Sequence, residues 1–151
     1  MVSFRSVSVV GIIDKQSGDF IWKIGPEILS QQHDPSMLDN GNVLVFDNGL
    51  NRKSVDPDLS LAEFAASRVI EIDPKTKEIV WSYQDPVSPN FFSAICSGAQ
   101  RLPNGNTLIC EATKGRFIEV TQEKEIVWEY FSPFEILRPN YWGWTVSLTV
   151  W

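Results

Sequence analysis

The sequence predicts an all-β fold of repeated four-stranded antiparallel sheets, and three observations predict it. Segments at Ile12 to Pro26, Val69 to Pro86 and Phe117 to Pro133 each read as a strand, a polar turn and a strand carrying a tryptophan. A second element, Leu-Xaa-Asn-Gly-Asn ahead of an apolar strand, occurs at Leu38 to Asn42 and again 64 residues later at Leu102 to Asn106. The six tryptophans recur in similar local contexts rather than scattering as core filler.

The elements follow in order. A short strand precedes Arg5, and a hairpin over 3–26 turns at Lys15-Gln16-Ser17-Gly18. A four-stranded unit spans 34–86 and a second spans 98–133. Asn40-Gly41 and Asn104-Gly105 are expected to supply the positive φ of tight type I′ hairpin turns. Asp14 precedes Trp22 by eight residues and Asp73 precedes Trp81 by eight, but Thr121 precedes Trp128 by seven, so the third turn is one residue shorter. The tryptophan spacings are 59 and 47, and an insertion over 52–67 accounts for the longer one. Its Leu59 to Ala66 core has the pattern of a short helix.

Four antiparallel strands per unit is the blade of a β-propeller. About two to three blades cannot close a ring, which takes four or more. The tail over 135–151, rich in Tyr and Trp, does not continue the pattern. These features predict a partial propeller from a larger protein, whose exposed sheet edges would pair between chains as a homo-oligomer.

Composition narrows the function. A formal charge of −6 and the lack of any basic stripe exclude a nucleic-acid surface, while an anionic small substrate remains compatible with a local pocket. Cys96 and Cys110 lie 14 apart with no paired cysteine motif, so no metal site is expected; they are buried thiols, or a disulfide in an oxidising compartment. No apolar run reaches the roughly 18 residues of a membrane span. The first residues do not form a signal peptide.

His33, the one histidine, stands in Ser30-Gln31-Gln32-His33-Asp34-Pro35, a connector where loops meet the mouth of a propeller. Its counterpart in the next repeat, 64 residues on, is Ser97, so packing does not demand a histidine there. A neutral imidazole is a competent nucleophile, and a neighbouring polar group can fix its tautomer. Asp34 either does this or turns the chain. Arg5 carries a guanidinium fork suited to a sulfate or phosphate oxygen pair, or is a surface arginine. Asn48, in Asp47-Asn48-Gly49, supports the site or forms a turn, and Arg68 supports it or forms a salt bridge.

The blocks QQHDPSMLDNGNVLVFDNG, SRVIEIDPKTKEIVWSY and SGAQRLPNGNTLICEATKGRFIEVTQEKEIVWEY resemble the C-terminal part of the arylsulfotransferase family over about residues 3–134. The resemblance implies a six-bladed propeller that moves a sulfuryl group from a phenolic sulfate donor to a phenol acceptor, with no cofactor or nucleotide donor. It places His33 at the nucleophile and Arg5 at a sulfate-binding arginine; Asn48 and Arg68 fall in recurring blocks of unassigned role and, with Asp34, are candidates to support the site. It also implies further active-site histidines from preceding blades, so this partial chain is expected to be inactive by itself, and it allows a periplasmic or secreted location.

Two other readings compete. One is a non-catalytic propeller that serves as a binding or interaction module. The other is a quinoprotein-like propeller, suggested by Asp14, Gly18 and Trp22 at four-residue intervals. The His33 block and the shortage of acidic metal-ligand pairs weigh against the latter.

Overall fold

The computed structural model describes residues 1–52, 66–87 and 90–134. Eleven strands are present among them: β1 (Val2–Phe4), β2 (Val9–Ile13), β3 (Phe20–Ile24), β4 (His33–Met37), β5 (Val43–Asp47), β6 (Arg68–Ile72), β7 (Ile79–Tyr83), β8 (Gly98–Arg101), β9 (Thr107–Glu111), β10 (Arg116–Val120) and β11 (Ile126–Phe131). They form three antiparallel meanders, β1-β2-β3, β4-β5-β6-β7 and β8-β9-β10-β11. These are propeller blades laid side by side, and among the described residues they do not close into a ring. The helix expected within 59–66, most of the 52–67 insertion and the 135–151 tail lie outside the described residues.

The core sits between the sheets. Alternate residues of a strand point to opposite faces, so the middle sheet feeds both interfaces. Val45, Ile70 and Ile72 pack on Val10, Ile24 and Leu29 of the first sheet and its connector. Leu44, Phe46, Val69 and Tyr83 pack on Phe91 of the connector before β8 and on Ala99, Ile109, Ile118 and Val120 of the third sheet. This explains the unbroken apolar run of β5, which is buried along its whole length. By contrast β11 is exposed throughout.

The recurring tryptophans join neighbouring sheets. Trp22 donates its indole N–H to the Pro74 carbonyl at 2.8 Å, and Trp81 donates to the Gln122 carbonyl at 2.9 Å. Both acceptors lie in the turn between the last two strands of the next sheet. The third of these turns is shorter, as the tryptophan spacing predicts. Lys124 N–H bonds to the Thr121 carbonyl, where Gly18 and Lys77 reach back one residue further to Asp14 and Asp73.

The Asn-Gly turns depart from the expected type I′ geometry. Gly41 and Gly105 take φ of +87° and +88°, but Asn40 and Asn104 do not have positive φ. Leu38 N–H bonds to the Asn42 carbonyl and Gly41 N–H to the Leu38 carbonyl, closing a three-residue loop with a left-handed glycine. The asparagines have a different purpose. Asn40 and Asn42 both donate Nδ2 to Glu71 Oε1, at 3.0 and 2.7 Å, which ties the turn to β6. Asn104 and Asn106 repeat this on Glu119 Oε1, at 3.1 and 2.7 Å, and hold that carboxyl below its ordinary pKa. Sequence spacing showed the pattern but not its carboxylate.

Glu71 has one partner more. Arg101 of β8 bonds to Glu71 Oε2 at 2.7 Å and lies 4.8 Å above the Trp81 ring, joining the middle and third sheets. Glu71→Ala should therefore cost about 3 kcal/mol in urea unfolding, because it strands a mostly buried guanidinium. Glu119→Ala, which removes no such ion pair, should cost clearly less. Equal losses would show that the inter-sheet pair contributes nothing.

Candidate functional site

The first strands of the sheets converge, with β4 against both β1 and β8. His33 opens β4 at this inner side. In the third sheet Gly98 pairs with Cys110. Their counterparts 64 residues earlier are Asp34 and Phe46, yet His33, not Asp34, pairs with Phe46. The register shifts between His33 and Ser36, where Asp34 adopts φ of +52°. Asp34 is thus a bulge residue that advances His33 by one position, and bulges commonly re-aim a side chain in this way.

Asn48 lies just beyond the end of β5, two residues past the partner of His33. That places it on the same face, and Asn48 Oδ1 is 2.7 Å from His33 Nδ1. Asn48 is fully buried, whereas His33 is half-buried. The Asn48 Nδ2 donates to the carbonyls of Ser93, at 2.7 Å, and Cys96, at 2.9 Å. Ser67 Oγ holds the Asn48 carbonyl at 2.8 Å and accepts the Ser93 N–H at 2.9 Å.

Arg5 reaches the same connector from the first sheet. It follows β1 as Asn48 follows β5, in a short 3₁₀ turn over Arg5–Val7. Its Nη2 donates to the Ala94 carbonyl at 3.3 Å, while its buried Nε has no partner among the described residues. The chain therefore brings Arg5 and Asn48 onto the 93–96 backbone from two different sheets. No side-chain hydrogen bond links Arg5 to His33.

The other two predicted residues act at a distance. The Asp34 carboxylate rests on Gly98, where an added β-carbon would fall 2.3 Å from Oδ2. Burial pushes this carboxyl above its ordinary pKa, against the pull of the Ala99 N–H and the His33 ring. Asp34 turns the chain and packs on β8, and the hydrogen-bond partner of the ring is Asn48. Arg68 Nε bonds to Asp47 Oδ2 at 2.9 Å and its Nη2 to the Ile28 carbonyl at 2.7 Å. Asp47, wholly buried, also accepts Arg52 Nη2 and the Ser30 N–H, each at 2.7 Å. This clamp fixes the chain just before His33 and just before Asn48.

The third sheet repeats the clamp without the pair. Glu111 stands where Asp47 does, paired across the strands with Arg116 as Asp47 is with Arg68. It is buried, bonds to Arg116 at 3.4 Å and accepts the Phe92 N–H at 3.0 Å. By strand pairing the residues at the His33 and Asn48 positions are Gly98 and Ala112, and Ser97, just before Gly98, accepts the Ala112 N–H on its Oγ at 3.0 Å. The scaffold thus stands with small residues at both places.

Cys96 and Cys110 are free thiols, and no group of three or more His, Cys, Asp or Glu suited to a metal is present among the described residues. Sequence reading missed the 93–96 backbone. Its only signal was the 64-residue offset that places Gln32 and His33 against Cys96 and Ser97.

The family model described as Arylsulfotransferase (ASST) matches residues 27–133. No curated protein matches the chain. Among solved structures, a protein of unknown function from Bacteroides caccae is similar, with a TM-score of 0.53 and 14% identity over 85% of this chain and 43% of that one. At that identity the likeness concerns the fold, and this chain spans less than half the length of that relative.

The Cys110 thiol is pushed up to about 11, first by burial and then by the negative charge of Asp34, Cys96 and Glu111. Almost no Cys110 thiolate exists at pH 8, and the thiolate is the form that alkylates. Iodoacetamide at pH 8 should label the half-buried Cys96 first and spare Cys110 until the protein unfolds. Equal labelling of the folded chain would contradict this placement.

Proposed function

This chain belongs to the arylsulfotransferase family, and we propose that His33 is its nucleophile for sulfuryl transfer between phenols. The observation that carries the reading is the contrast between repeats. Two sheets share one buried acid–arginine clamp, but one carries His33 and Asn48 where the other, by strand pairing, carries Gly98 and Ala112. Blade construction does not require the pair, which leaves chemistry as its reason.

In this reading a lone-pair nitrogen of His33 attacks the sulfur of a phenolic sulfate ester. The sulfur–oxygen bond to the aryl group breaks, and its electron pair departs with the phenolate. The sulfuryl group then rests on the ring until an acceptor phenol, its proton passing to solvent, attacks sulfur; the sulfur–nitrogen bond breaks, its electron pair returns to the ring nitrogen and the neutral imidazole is restored. Charge stays on the non-bridging oxygens through such a loose transition state, as in phosphoryl transfer. Arg5 suits those oxygens, because its buried Nε lacks a partner among the described residues. Arg68 and Asp34 position the chain and do not touch the reacting atoms. The donor and acceptor are small phenols, and no cofactor takes part.

The open row of sheets favours a second reading, a non-catalytic module that binds at the same convergence. Mass spectrometry after incubation with a nitrophenyl sulfate separates the two. The first predicts a gain of one sulfuryl group on the His33 peptide, absent from His33→Ala. An unmodified His33 peptide at saturating ester would remove the nucleophile assignment and leave the binding module.

A further inference from the structure

We infer that Asn48 is a positioning residue that holds His33 as its Nδ1–H tautomer, so that Nε2 is the atom left to react, and that the 93–96 connector of the next sheet sets Asn48 in turn. The inference rests on the reading of His33 as the nucleophile, but its chemistry is fixed by hydrogen-bond bookkeeping alone.

A carboxamide has one accepting oxygen and one nitrogen with two hydrogens. The Asn48 nitrogen faces two backbone carbonyls, Ser93 O at 2.7 Å and Cys96 O at 2.9 Å, and carbonyls only accept. Both hydrogens are thereby used. Flipping the amide would set its oxygen against two carbonyl oxygens in a fully buried place, losing two hydrogen bonds at once. The oxygen must therefore face His33. Since that oxygen can only accept, the nitrogen 2.7 Å away, Nδ1, must carry the proton. The lone pair then lies on Nε2. A histidine free in water favours the opposite tautomer, so the buried amide reverses an intrinsic preference.

The amide is also a suitable partner during the transfer. When Nε2 forms its bond to sulfur, positive charge develops on the ring and the Nδ1–H bond is polarised toward Asn48 Oδ1. An amide oxygen stabilises that charge without taking the proton. The sulfurylated ring stays cationic, and a cationic ring leaves sulfur readily in the second displacement. A carboxylate at this position would draw the proton away and leave a more inert neutral ring.

The connector that orients the amide is itself constrained. Cys96 and Ser97 have φ of +58° and +78°, a left-handed backbone uncommon outside glycine. Ser97 Oγ bonds to Ser93 Oγ at 2.8 Å, and Ser93 Oγ bonds to the Ile95 carbonyl at 3.0 Å. The Ala112 N–H of the third sheet bonds to Ser97 Oγ. The third sheet must dock for these carbonyls to stand where Asn48 needs them, so the tautomer of His33 depends on a neighbouring blade.

The chain has one histidine, so imidazole nitrogen NMR reads this site alone. With ¹⁵N-histidine label above the ring's titration, the expected spectrum has the proton on Nδ1 and the lone-pair signal on Nε2. Asn48→Ala should move the ring toward a mixture dominated by Nε2–H and slow sulfuryl uptake on the order of 100-fold. A merely structural Asn48 would lower stability in Asn48→Ala and leave the tautomer unchanged, which overturns the inference. So does an Nε2–H ring in the unmodified chain, a result that needs no variant to fold. A correct tautomer without sulfuryl uptake would remove the nucleophile reading and leave this inference standing.

Discussion

The saturation of the Asn48 amide by two backbone carbonyls is the constraint on which the site depends. Each buried polar group must find a partner, and here the partners determine an orientation as well as an energy. The nitrogen is committed to Ser93 and Cys96, so the oxygen is committed to His33. Every other feature of the site supplies the positions these three bonds need. The Asp47 cluster with Arg52 and Arg68 fixes the ends of β5 and of the connector before β4. The bulge at Asp34 sets the register of His33 against Phe46. Packing of Leu44, Phe46 and Tyr83 on Phe91 and Ala99 brings the accepting backbone within reach.

Side by side, the two complete sheets separate architecture from chemistry. Both have the asparagine-to-glutamate tie that closes the first turn, and both bury an acid against an arginine at the end of the second strand. Both depend on a tryptophan for contact between sheets, since Trp22 docks onto the middle sheet and Trp81 onto the third. Only the middle sheet places a histidine and an amide on this frame. Arg5, following β1 as Asn48 follows β5, brings a guanidinium to the same connector from the first sheet. The candidate groups are thus additions to a repeated scaffold.

Much of this was legible in the sequence, and the boundary has a physical cause. Strand positions, the hairpin order and the shorter third turn follow from local patterns, because apolar alternation and turn residues act over a few positions. The Asn-Gly pairs read as type I′ turns because sequence shows which residues tolerate positive φ but not which one adopts it. Glu71 and Glu119 gave no sign of holding those turns, since the contact crosses two strands. His33 and Asn48 were visible as candidates, but the bond between them depends on a bulge, and the carbonyls of Ser93 and Cys96 have no side-chain identity to read. The left-handed Cys96 and Ser97 have a tertiary origin of the same kind.

The claim that unites scaffold and chemistry is that His33 Nε2 accepts a sulfuryl group in a discrete covalent step. Pre-steady-state release of phenolate from a chromogenic aryl sulfate, with no acceptor phenol present, tests it most directly. A covalent intermediate predicts a burst of about one equivalent of phenolate per chain, followed by near-silence until an acceptor is added. Linear release from the first turnover, or a burst that persists in His33→Ala, would contradict it.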